Sequence, residues 1–221
     1  MALRRTVARI AWFPTCALIR TVFRALGGFR VEGRDRVPAR GRVVICPNHT
    51  CDVDAPAVAA ALPRYARFMA KEDLFAMRFV GGLLRLFDVF PVRRNSADRA
   101  ALRTAVRTLE EGEALVIFPE GGGNPDGRLH PLHPGALMVA LQTDSPVVPC
   151  AIHDAQRFLP YGATRPRRSE RPLRIVFGEP LDLSDLKGRR DATTEATARL
   201  ARALADLLGQ PVPEGKPILR D

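Results

Sequence analysis

Apolar and polar positions along the chain fall into two kinds of segment. Short continuous apolar runs recur at Val43-Val44-Ile45-Cys46, Ala114 to Phe118 and Val147 to Ile152, as in strands buried on both faces, and Leu173 to Phe177, broken only by Arg174, reads as a fourth. A further short strand is expected around Arg67 to Ala70. Between these runs the period is helical. Ala55 to Leu62 is alanine-rich with Pro56 in its first turn, where a missing N–H is tolerated. A helix capped by Asn95 or Ser96 runs to Glu111 and stops at Gly112. Leu102, Val106 and Leu109 form its buried stripe, and Arg99, Arg103 and Arg107 recur every four residues on another face. A last helix spans Thr193 to Leu208 and ends at Gly209. Strands alternating with helices predict one α/β domain, its mostly parallel sheet flanked by helices.

Two apolar stretches are less regular. In the first 26 residues Ile10, Trp12, Phe13, Leu18, Ile19, Val22 and Phe23 mix with Arg4, Arg5, Arg9, Arg20 and Arg24. The pattern predicts an amphipathic helix broken near Pro14. Either it packs on the body of the protein, or it lies in a membrane interface with its arginines at the head groups and Trp12 and Phe13 in the acyl region. Asp73 to Phe87 is strongly apolar and interrupted by Gly81-Gly82, which suggests a bent helix or a surface element. The expected organisation is an N-terminal amphipathic segment over 1–30, the main domain over 31–185, and a helix and tail over 186–221 packed on the same domain.

Composition narrows the functions. Of 221 residues, 46% are hydrophobic and 26% charged, which excludes disorder and a disulfide-rich miniature. No uncharged apolar run approaches the roughly 20 residues of a transmembrane helix. The net charge of +10 favours anionic partners. Only Lys71, Lys187 and Lys216 among the 34 basic residues are lysine; the rest are arginine, which suits bidentate phosphate recognition. With aromatics at 6% and no zinc-finger spacing, phospholipid head groups or a phosphorylated substrate fit the charge better than nucleic acid. Cys16, Cys46, Cys51 and Cys150 form no CxxC pair and read as reduced residues of a cytosolic or cytosol-facing protein.

Three features carry chemistry. His49 precedes Asp54 by five residues in the turn leaving a buried strand. A carboxylate bonded to one imidazole nitrogen fixes the tautomer and leaves the other as a general base; the plainer reading is a turn cap and a helix cap. Phe118-Pro119-Glu120-Gly121-Gly122-Gly123 takes a strand into a glycine-rich loop able to bring backbone amides to an anion. Phe90-Pro91-Val92-Arg93-Arg94 places two cations before a helix.

In this order the pieces resemble the lysophosphatidic acid acyltransferase (PlsC-like) family of glycerolipid acyltransferases. Asn48-His49-Thr50-Cys51-Asp52-Val53-Asp54 is similar to its first block, with Cys51 at the usual serine. Val89 to Arg94 is similar to the second, with Arg93 at the usual acid; Phe118 to Gly121 resembles the third and Val147-Val148-Pro149 the fourth. The third block departs after Gly121, where Gly122-Gly123-Asn124 replaces Thr-Arg-Ser. The resemblance implies acyl transfer from an acyl thioester, acyl-CoA or acyl carrier protein, to a lysophospholipid hydroxyl, foremost 1-acylglycerol-3-phosphate giving phosphatidic acid. It implies His49 as base, Asp54 as its orienting partner, and Arg93, Arg94, Glu120, Gly121 and Gly122 around the acceptor phosphate. It also implies no metal or other cofactor, and a peripheral place on the cytoplasmic face of an anionic cell membrane.

Rival readings have particular residues behind them. Cys51 suggests a covalent acyl-enzyme, but lies too near His49 in sequence for attack to be easily arranged. His130-x2-His133 and Cys150-x2-His153 have zinc-like spacing, although strand alternation accounts for the second pair. A non-enzymatic membrane-binding module explains the basic start and leaves His49 with Asp54 unexplained.

Overall fold

The structure, a computed structural model, describes residues 2–93 and 98–217. Its strands are β1 (Phe29–Glu32), β2 (Val43–Pro47), β3 (Ala66–Lys71), β4 (Phe90–Val92), β5 (Ala114–Val116), β6 (Val147–His153) and β7 (Leu173–Phe177). The helices are α1 (Ala2–Ala25), α2 (Asp54–Ala61), α3 (Arg78–Leu86), α4 (Arg99–Glu110), α5 (Gly135–Gln142), α6 (Ala155–Phe158) and α7 (Ala192–Leu208). The strands form one seven-stranded sheet in the order β1-β7-β6-β2-β5-β3-β4. Every pairing is parallel except β6 with β7. The expected α/β sheet is therefore present, and the four apolar runs supply its central strands.

Parallel strands need covered faces, and two apolar layers cover them. Val43, Ile45, Phe68 and Val116 point to one side, against α1 and α2. Val44, Cys46, Leu115 and Ile117 point to the other, against α4, α5 and α7. Right-handed crossovers dictate this split. The chain moves outward from β2 to β3 and β4, placing α2 and α3 on one face, then returns through α4 to β5 on the other. The last helix, α7, packs on β6 and closes the second layer.

Several local expectations change. α1 continues through Pro14. One side of it, at Ala8, Trp12, Cys16 and Phe23, is fully buried, and this packing holds the helix across the proline. Trp12 is a core residue, 5.2 Å between ring centroids from Tyr65 and 6.2 Å from Phe87, so it does not reach outward. Arg5 pairs with Glu111 and Asp88, and Arg9 with Glu113. Arg20 donates to the Ala60 carbonyl.

Residues 72–86 do bend, but at Met77, between a short 3-10 turn and α3, and Gly81-Gly82 lie inside the helix. Gly81 is required there because a Cβ would come within 2.4 Å of the Phe75 carbonyl oxygen. The cap of α4 is Asp98, whose carboxylate accepts from the amides of Ala100 and Ala101; Asn95 and Ser96 lie outside the described residues. The sheet-facing side of α4 is Ala101, Ala105, Thr108 and Leu109, with Leu102 and Val106 half-buried beside α5.

Candidate active site

β2 and β5 are adjacent and parallel, so the loops that follow them leave the sheet at the same edge. The first loop turns into α2 on one face and the second leads to α5 on the other. The crevice between such diverging loops is where open α/β sheets bind ligands. His49 lies in the first loop and Phe118 to Asn124 in the second. They meet directly: the His49 ring lies 4.5 Å from that of Phe118, centroid to centroid, and the Asn124 amide donates to the His49 carbonyl at 3.0 Å.

Asp54 opens α2 and is completely buried. Its Oδ2 lies 2.9 Å from His49 Nδ1 and also accepts the amides of Thr50 and Cys51. Three N–H groups thus satisfy one oxygen of a carboxylate that has no solvent around it. Because Oδ2 accepts, Nδ1 carries the proton and Nε2 keeps its lone pair. The His49 side chain is 19% exposed, so a base held in one tautomer borders solvent. Asn48 anchors the start of the loop by accepting the Ile152 amide at 2.7 Å and donating to the Ile152 carbonyl.

The family resemblance implies Glu120 at the acceptor phosphate site; the structure buries its side chain, 4% exposed. Its Oε1 accepts the His49 amide at 2.7 Å; its Oε2 accepts the His130 amide at 2.8 Å and the Asn124 side-chain amide. A carboxylate committed to these donors, and carrying the wrong sign for a phosphate, positions the His49 backbone. The Gly121 amide is also committed, to the Phe118 carbonyl at 3.2 Å. Gly121 stands at φ 74°, and a Cβ there would press on the His133 ring at 3.0 Å. The Gly122 amide, in a buried residue, has no backbone acceptor among the described residues. Arg93 is exposed after β4, its guanidinium 3.4 Å from Glu72. Arg94 lies outside the described residues.

The remaining candidates have structural partners. The Cys51 thiol is buried and contacts Asp54, and burial with that neighbouring charge pushes it up to about 12, unlike an activated nucleophile. His130 pairs with Asp126, and His133 packs on Gly121. Cys150 is buried within β6, while His153 sits 3.3 Å from Arg174. Among the described residues no three His, Cys, Asp or Glu side chains are grouped to hold a metal ion. A cavity of about 480 Å³ opens beside Thr50, lined also by Gly127, His153 and Tyr161.

The acyltransferase family model matches residues 28–153, from the first strand to the end of β6. The chain belongs to the acyltransferase family. It is 28% identical over 205 residues to the 1-acyl-sn-glycerol-3-phosphate acyltransferase of Bacillus subtilis, covering 90% of this chain and 99% of that protein. To the human 1-acyl-sn-glycerol-3-phosphate acyltransferase beta it is 32% identical over 145 residues, 63% of this chain and 50% of that one. The crystal structure of the 1-acyl-sn-glycerophosphate (LPA) acyltransferase PlsC from Thermotoga maritima shares the fold. The TM-score is 0.68 over 88% of this chain and 78% of that chain, at 23% identity. The family supplies the reaction class that the His49–Asp54 geometry suits, acyl transfer.

Proposed function

We propose that this acyltransferase moves the acyl group of a soluble thioester to the free hydroxyl of 1-acylglycerol-3-phosphate at a bilayer surface, giving phosphatidic acid. The observation that carries the reading is the buried Asp54 carboxylate on His49 Nδ1, which leaves Nε2 as an oriented base. The acceptor oxygen attacks the thioester carbonyl carbon while Nε2 takes its proton, and Asp54 stabilises the imidazolium. Collapse of the tetrahedral intermediate breaks the C–S bond, and the imidazolium returns the proton to the departing sulfur. No covalent enzyme intermediate is needed, in keeping with the inert Cys51. Arg93, Arg94 and the Gly122 amide are assigned to the acceptor phosphate.

The bilayer half of the proposal rests on the outward side of α1. With Trp12 inside, the helix turns Val7, Ile10, Phe13 and Leu18 to solvent, Ile10 at 70% and Leu18 at 64% exposure. α3 contacts α1 and exposes Phe79, Leu83 and Leu86 at i, i+4 and i+7. No helix among the described residues is long and apolar enough to cross a membrane. Apolar faces on two neighbouring helices with arginines alongside suit a protein lying on an anionic interface.

The test is free-thiol release from one acyl thioester against a panel of acceptors. Release that requires lysophosphatidic acid is expected. Release independent of any lysolipid would indicate a hydrolase, and preference for an uncharged lipid alcohol would overturn the phosphate assignment.

A further inference from the structure

β2 and β6 are parallel, so β6 ends at the sheet edge that carries His49. β7 returns antiparallel to β6, and residues 154–172 therefore cross that edge. The cavity of about 480 Å³ lies among Thr50, the residue after the base, Arg157 and Tyr161 of this crossing, and Leu208 and Gln210 at the end of α7. Its walls are held by hydrogen bonds. Gln156 donates to the Asn124 carbonyl at 2.9 Å. Gln210 accepts the Leu129 amide at 2.8 Å and donates to the Gly127 carbonyl at 3.1 Å. The Tyr161 hydroxyl has no hydrogen-bond partner among the described residues. A preformed slot, part apolar and part polar, suits a slender chain that carries amides.

The chain leaving Tyr161 is strongly basic. Arg165, Arg167, Arg168 and Arg171 are exposed, and Glu170 is the one acid among them. None of the four has a carboxylate partner among the described residues, whereas Arg36, Arg157, Arg189 and Arg199 do. Backbone bonds keep this loop beside the cavity. The Arg167 amide donates to the Phe158 carbonyl at 2.7 Å, and the Ala163 amide closes a turn on the Pro160 carbonyl at 2.9 Å. The Ser169 amide, bonded to the Leu26 carbonyl at 2.7 Å, ties the loop to the end of α1. Unpaired cations gathered this closely attract an anion with several phosphate groups.

We propose that this cavity and loop bind the acyl donor as a nucleotide thioester: the pantetheine arm of an acyl-CoA lies in the cavity, and its pyrophosphate and 3′-phosphate meet Arg165, Arg167 and Arg168. The proposal deepens the acyl-transfer reading and rests on it for the thioester. Shape and charge divide the ligand in the same way as the site. The arm is uncharged and carries amides for the Tyr161 hydroxyl. All the donor's charge sits at the far end of that arm, and the arginines begin four residues beyond Tyr161. Strand order then separates the two substrates. β6 lies on one side of β2, while β4, which leads to Arg93 and Arg94, lies on the other. Donor and acceptor therefore reach the His49 loop from opposite sides.

The experiment uses the full chain, its Arg165→Gln/Arg167→Gln/Arg168→Gln variant, and Tyr161→Phe. The three arginine side chains are exposed and make no bond among the described residues, and circular dichroism checks the fold. The same acyl group is presented on CoA, on 3′-dephospho-CoA, on N-acetylcysteamine and on acyl carrier protein, with lysophosphatidic acid as acceptor. With acyl-CoA the arginine variant should lose about tenfold to a hundredfold in kcat/KM. Removing the 3′-phosphate should cost the wild type at least about threefold and the variant nothing, because changes at one contact do not add. The N-acetylcysteamine thioester, which has no nucleotide, should serve both proteins equally. Tyr161→Phe should raise KM for acyl-CoA about threefold with kcat unchanged. Calorimetry with CoA alone should show binding to the wild type that weakens as salt rises, and little binding to the arginine variant.

An equal loss with the carrier-bound donor or the N-acetylcysteamine thioester would overturn the nucleotide assignment. So would a wild type indifferent to the 3′-phosphate, or arginine substitutions that release the protein from anionic vesicles and leave CoA binding intact. CoA binding by a wild type that transfers no acyl group would overturn the acyl-transfer reading and leave the site standing. Transfer from acyl-CoA at the same kcat/KM in the wild type and the arginine variant would overturn the site and leave the reading standing.

Discussion

Three N–H groups converge on one oxygen of Asp54, and this convergence gives His49 its chemistry. Asp54→Asn keeps the shape but puts either a donor or a weaker acceptor opposite Nδ1, loosening the tautomer. A loss of about 10²–10⁴-fold in kcat is expected, with KM for lysophosphatidic acid little changed. Glu120 separates two assignments just as clearly. Glu120→Gln leaves one of its amide donors facing another donor in a buried site. Chemical unfolding should show a destabilisation of about 1–3 kcal/mol. Direct phosphate binding by Glu120 would instead make its neutralisation improve KM at no cost in stability. The pairing of His49 with Asp54 was legible in sequence, because a strand, a tight loop and a helix start bring i and i+5 together. The burial of Glu120 was not legible, because it arises where two loops, distant in sequence, meet at one sheet edge.

At the scale of elements, inward and outward residues of α1 have different tasks. Trp12→Ala should cost about 3–5 kcal/mol of stability, as a large aromatic leaving a packed core does. Ile10→Glu with Leu18→Glu should leave the unfolding midpoint nearly unchanged and release the protein from anionic vesicles in a sedimentation assay. Adding Phe79→Glu on α3 should deepen that release. Retained vesicle binding by the triple variant would place the membrane contact elsewhere. Central strands announced themselves as unbroken apolar runs. β1 and β4 did not, since edge strands are short and part-exposed, and α5 was hidden because its apolar residues follow the proline-rich stretch at Pro131 and Pro134. Pro14 and Gly81-Gly82 read as breaks by local propensity alone; packing against Tyr65 and a close approach to Phe75 override it.

Across the whole molecule, all four cysteines are buried in one reduced interior. Burial raises the Cys16 thiol to about 11 and Cys51 to about 12, and pushes Cys46 and Cys150 further in the same direction. Each folded-state value lies above the ordinary value of 9.0, so the folded chain holds protons that the unfolded chain releases. The thiols' contribution to stability is full below pH 9 and falls as pH rises from about 9 to 12, which urea midpoints taken at successive pH values will register. Replacing Cys51 by serine should remove part of that alkaline slope without abolishing transfer. The α4 arginines and the exposed apolar residues of α1 and α3 lie on opposite sides of one sheet, an arrangement that composition alone concealed within a single net charge. Everything proposed for the reaction passes through one nitrogen, His49 Nε2. The decisive measurement is kcat for thiol release by His49→Ala, with an acyl thioester and lysophosphatidic acid at saturation and folding checked by circular dichroism. A loss of about 10²–10⁴-fold with an unchanged spectrum is the expected result; a folded variant within several-fold of the wild type would contradict the mechanism.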